Sequence, residues 1–96
     1  MNSTFTVGRH EAILEQYVGK TIIHTFRRKN VGLFSTRGVL SLELNQNEES
    51  PLMYFKTFNA KTAHATAARV DAISDMETTE LVGPEKLKLL HVYTDI

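Results

Sequence analysis

The sequence has no cysteine, no tryptophan, only two prolines and no net charge. Without cysteine there is no disulfide, no thiolate metal ligand and no cysteine nucleophile, so stability has to come from packing, within the chain or against a partner subunit. No apolar run approaches the roughly 18 residues of a membrane-spanning helix, and the N-terminal MNSTFTVGRHE lacks the apolar stretch of a secretory signal. The expectation is a cytoplasmic protein without membrane contact. Catalytic motifs are missing too: there is no Gly-x-Ser-x-Gly, no phosphate-binding loop and no Gly-x-Gly-x-x-Gly, and the five glycines are scattered. His10, His24, His64 and His91 fall on different segments, with no i, i+2 or i, i+4 pair to supply two metal ligands. No enzymatic activity, catalytic residue, metal site, cofactor or small-molecule substrate is therefore expected.

What is present is the composition of one small globular domain, 96 residues with 42% hydrophobic and 23% charged side chains, too short for a second core. Residues 1–8 are polar and read as a flexible arm, leaving 9–96 as the domain. The charge is unevenly spread. Six basic residues stand against two acids through Leu42, and five against nine from Glu43 onward. Such asymmetry marks a polyanion-binding face, complementary surfaces between copies of a homo-oligomer, or a solvated turn whose cations fold back onto acids.

Along the chain, Ile13, Leu14, Tyr17 and Val18 fall on one face of a short helix over 9–18, and Gly19 stands where a left-handed residue ends a helix. Lys20 to Arg28 alternates as a β-branched strand, with Ile22, His24 and Phe26 on one face. The connection RRKNVGLFSTR carries turn formers with Val31, Leu33 and Phe34 interleaved, and a second strand runs from Thr36 to Asn45. Gly38 in that strand suggests a bulge or sharp bend. Leu52 to Phe58 is a strand apolar on both faces, the pattern of a central strand or of one with an additional covered surface. Ala60, Ala63, Ala67 and Val70 make a helical stripe behind Asn59, predicting an Ala-rich helix at 60–70, a short irregular strand at 71–77 and a last strand at 87–96. His24 and His91 would meet if the first and last strands pair, as a structural pair or a pH-sensitive contact. The acids Asp71, Asp75 and Glu77 are read as solvated.

The fold class expected is α+β, a short N-terminal helix followed by a strongly bent antiparallel sheet of about five strands. Tyr17-Val18-Gly19-Lys20, the strand Thr21 to Phe26, and Arg37-Gly38-Val39-Leu40 with its Gly-x-Leu pattern resemble the opening of an Sm-like or SH3-type small β-barrel over residues 9–45. That resemblance implies a small barrel, RNA binding and ring assembly. Lys56, Ala60-Lys61, Ala63 and Ala67-Ala68 are in turn similar to the second helix of double-stranded-RNA-binding domains, although the adjacent lysine pair of that family is absent.

Two functions follow. One is a nucleic-acid-binding module, with Arg27, Arg28, Lys29 and Arg37 on phosphates, Phe34 stacking on a base and Lys20 at the rim. The tip residues Leu33 and Phe34 have a plain structural alternative, packing beneath the turn as a satellite cluster. The other function is an adaptor, an inhibitor or a self-assembling unit that uses Met53, Tyr54, Phe55 and Phe58, or the acidic C-terminal half.

Overall fold

A computed structural model describes residues 3–45, 52–80 and 88–94, with side chains from Gly8 on. It contains one helix, α1 (Ser3–Glu15), and six strands: β1 (Thr21–Arg28), β2 (Gly32–Asn45), β3 (Leu52–Asn59), β4 (His64–Arg69), β5 (Ile73–Glu80) and β6 (Lys88–Thr94). The strands form one sheet in the order β4-β3-β2-β1-β6-β5. Every pairing is antiparallel except β1 with β6, so the sheet is mixed and has six strands rather than about five antiparallel ones. No described helix is long and apolar enough to cross a membrane.

Two features curl this sheet. Strand β2 pairs with β1 through Gly32–Val39 and with β3 through Val39–Asn45, so its neighbours cover different halves of its length. Gly38 sits at that handover, buried, where an added Cβ would lie 2.7 Å from the Phe58 amide nitrogen and 2.9 Å from Thr57 Cβ. No register shift is recorded in either ladder of β2. Gly38 therefore serves close strand approach rather than the bulge the sequence suggests. In addition, β4 and β5 are the two edges of the sheet yet are joined only by the single turn Val70–Ala72. The sheet has to wrap until its edges converge there, and it stays open because no ladder joins β4 to β5.

The concave side of the wrapped sheet holds the core. Ile22, Leu40, Phe55, Val70, Ile73, Leu90 and Val92 are buried together, and α1 adds Leu14, with Ile13 and Tyr17 packed alongside. Burying these eight side chains at about 1.5–3 kcal/mol each is the main driving term for the fold. Residues 3–8, read from the sequence as part of an arm, are helical, and the helix ends at Glu15. Gly19 takes the expected left-handed φ of +84° but stands four residues beyond the helix end instead of closing it, and its N–H donates to the Leu40 carbonyl, tying the helix exit to the sheet.

The predicted Ala-rich helix at 60–70 is a turn followed by β4. Ala favours helix locally, but β3 presents a free edge, and pairing it satisfies a row of backbone N–H and C=O groups that a helix would leave open. The alternation then puts Thr66 and Ala68 inside and Ala65 and Ala67 outside. Similarly, the connection between the first two strands is three residues, Lys29–Val31, because Leu33, Phe34 and Ser35 already pair with β1. Asn30 and Gly32, both at positive φ, close it. The last two strands lie at Ile73–Glu80 and Lys88–Thr94. The turn predicted around Pro51 lies outside the described residues.

Candidate nucleic-acid interface

Side chains alternate along a strand, and this decides where each cation goes. In the β1–β2 hairpin Ile22, His24 and Phe26 point to the concave side, so Arg28, Phe34 and Gly38 do as well. Arg27, Leu33, Ser35, Arg37 and Val39 point outward. The six residues assigned to nucleic acid therefore divide. Arg27, Arg28 and Lys29 come together at the exposed tip, and Arg37 follows on the outer face opposite Ile23. Lys20 is at the far end of β1, its ammonium 5.6 Å from the centre of the Tyr17 ring. Phe34 is half-buried: Phe26 stacks on it at 6.3 Å and the Arg28 guanidinium sits 5.1 Å from its centre. That ring belongs to a satellite cluster under the tip, the packing alternative for this residue, and Arg28 is held against it.

The cations at the tip do not fold back onto any described acid. Among the described residues the ion pairs are Lys56–Glu43 at 3.0 Å and Arg69–Asp71, and neither involves Lys20, Arg27, Arg28, Lys29 or Arg37. These five are exposed, and none is paired with an acid among the described residues.

The proposed partner-binding strand divides in the same way. Phe55 is fully enclosed and Met53 packs against the core, whereas Tyr54 and Phe58 point outward and Phe58 is 51% exposed. The two-sided apolar character of β3 thus arises because one face fills the concave core and the other stays open. Beside Phe58, a surface depression of about 300 Å³ is lined by Thr21, Val39, Asn59, Ala60 and Lys61. The Asn59 side-chain carbonyl accepts the Lys61 N–H at 3.0 Å, which fixes the turn that carries the lysine. Neither Asn59 nor Lys61 was singled out as a site residue from the sequence. The signal for them is the strand alternation at Tyr54, Lys56 and Phe58, which sets Phe58 on the face opposite Phe55, with Asn59 opening a turn.

The histidines are dispersed. His24 and His91 do lie on paired strands, but Ile23 is the register partner of His91 and Val92 that of His24, so the two rings are on opposite faces and do not meet. His24, 2% exposed, bridges Thr66 Oγ1 at 2.9 Å and Thr94 Oγ1 at 2.8 Å, and Thr66 also bonds Thr57. A neutral imidazole donates through one nitrogen and accepts through the other, and the threonine hydroxyls rotate to match. This chain links β1 to β6 on one side and to the edge strand β4 across the concave interior. His91 bonds Thr79 on the outer face, where the Tyr93 hydroxyl also donates to Glu77. That hydrogen bond, with partial burial and the negative charges of Glu77 and Asp75, raises the Tyr93 pKa above its ordinary value. Among the described residues no cluster of three His, Asp or Glu is placed to hold a metal ion.

The chain matches no protein-family model, no curated protein and no solved structure.

Proposed function

We propose that this protein is a small non-enzymatic binding module whose working surface is the tip of the β1–β2 hairpin, and that its ligand is nucleic acid. The observation that carries this reading is the set of exposed cations at and below the tip, none paired with a described acid. Exposed guanidinium and ammonium groups gathered on a hairpin attract phosphate by Coulomb force and by release of condensed counterions. The resemblance of residues 9–45 to Sm-like barrels points the same way. Because Phe34 is engaged by Phe26 and Arg28, the tip contributes charge rather than a stacking platform.

The test is anisotropy of a labelled oligonucleotide at low salt with the wild type and with the charge-reversed pair Arg27→Glu, Lys29→Glu. Both side chains are exposed, so the fold should survive the change. Binding that is lost on reversal supports the reading; binding unaffected by it refutes it.

A second reading, self-association or contact with another protein through Tyr54 and Phe58, is favoured by one observation. Strand β4, beside β3, is a sheet edge with small residues over 65–68, and it carries no lysine or proline to guard that edge, its one cation being Arg69 at the end. A nuclease-insensitive oligomer in light scattering would select it.

A further inference from the structure

We infer that the ligand of this surface is single-stranded rather than duplex nucleic acid, and that it runs along the outer face of β2 from the hairpin tip to the depression beside Phe58, which takes one unstacked base. The inference rests on the reading of the hairpin as a phosphate-binding surface.

From the tip to Val39 the outward positions of β2 are Leu33, Ser35, Arg37 and Val39, with Arg27 beside Leu33 and Phe58 beside Val39. At about 3.4 Å per residue, Arg27 and Arg37 are separated by roughly 14 Å along the strand, and Arg37 and Val39 by roughly 7 Å. A nucleic acid lying along this face can meet its cations at intervals of one to a few phosphates in either form, so the groups between the cations decide which form it takes.

The face offers groups suited to exposed bases. Val39 and Phe58, neighbours across β2 and β3, are 46% and 51% exposed, and Leu33, 57% exposed, lies at the tip beyond Arg37 and Ser35. Phe58 supplies the ring, and its depression of about 300 Å³ is at the small end of ligand sites, the size for a single nucleobase. Asn59, Lys61 and Thr21 line the same depression, and their side chains are of the kinds that bond a base edge or the adjoining phosphate. A duplex cannot use this site, because its bases are stacked on one another.

Charge confines the path. On the outer face of β1, β2 and β3 the one described acid is Glu43, held by Lys56. Asp75 and Glu77 lie on the outer face of β5, beyond β6, and repel a polyanion from that side.

Two measurements test the inference. The first is the affinity of a single-stranded oligonucleotide of about ten nucleotides, and of the duplex of the same length, for wild type, Phe58→Ala and Arg27→Ala at low salt. The expected result is tighter binding of the single strand, a loss of about 5- to 150-fold on Phe58→Ala for the single strand alone, and a loss for both ligands on Arg27→Ala. The second uses Phe58→Trp, which gives the chain its sole tryptophan; stacking should quench its fluorescence on addition of the single strand and not of the duplex. If Phe58→Ala leaves single-strand affinity unchanged, or the duplex binds more tightly, the inference is overturned while the basic hairpin reading stands. If neither ligand binds, both fall.

Discussion

Replacing Gly38 by alanine perturbs the fold and the proposed interface at one point. The added methyl would stand 2.7 Å from the Phe58 amide nitrogen, 2.9 Å from Thr57 Cβ and 3.0 Å from the Phe58 carbonyl carbon, and two of these three atoms are backbone. A flexible side chain could swing aside, but here β3 itself has to move away from β2. Overpacking of this kind costs about 1–3 kcal/mol, which for a domain of this size lowers Tm by about 4–8 °C per kcal/mol. Thermal unfolding followed by circular dichroism should place Gly38→Ala roughly 5–20 °C below wild type. Because Gly38 and Phe58 both line the depression, single-strand affinity at a temperature where the variant is folded should fall as well. Gly8→Ala is the matched control. Gly8 lies within α1 with nothing within 4 Å of an added Cβ, so the same substitution there should stabilise by about 0.5–1 kcal/mol. A Tm for Gly38→Ala at or above that of wild type would refute the account of how β2 and β3 approach each other.

Three further outcomes are expected. His24→Leu should cost about 1–3 kcal/mol in denaturant unfolding, because it orphans the buried Thr94 hydroxyl, and adding Thr94→Val should recover most of that loss; simple additivity of the two would contradict the bridge. Leu14→Ala, which empties the fully buried contact of α1, should cost about 2–5 kcal/mol, whereas Glu15→Ala at the exposed end of the helix should change stability by less than about 0.5 kcal/mol. Tyr93 should titrate above the ordinary tyrosine value in tyrosinate absorbance, and Glu77→Gln should bring its titration down. Since its folded pKa is raised, the stability this contributes is present below the unfolded value and is lost as pH rises through the folded one, so Tyr93→Phe should flatten the alkaline part of the stability profile.

Much of the meander could be read locally. The alternation of Thr21 to Phe26 and the left-handed position of Gly19 are local properties, and the structure follows both. The tip of the hairpin was harder, since Val31, Leu33 and Phe34 look like loop residues until Phe26 is seen to pair with Phe34 across the strands. Residues 64–69 went the other way. Their alanines signal helix, and only the free edge of β3, a tertiary feature, makes them strand. The insertion of β6 between β1 and β5 has no local signature at all, because a parallel pairing of segments some seventy residues apart is set by the closure of the sheet. For the site, the cations were legible as charge, but their division between two faces depends on a register that the three-residue turn fixes. Reading a helix over 60–70 hid Asn59 and Lys61, which the turn brings beside Phe58.

The salt dependence of single-strand affinity tests the central claim most directly. With Arg27, Lys29, Arg37 and Lys61 supplying three or four phosphate contacts, log K against log salt should have a slope of about −2 to −3, a loss of roughly 20- to 50-fold between about 50 and 200 mM. Arg27→Ala should make that slope shallower by about 0.7. Absence of binding at the lowest salt, or an affinity that salt leaves unchanged, would contradict the assignment of this surface to nucleic acid.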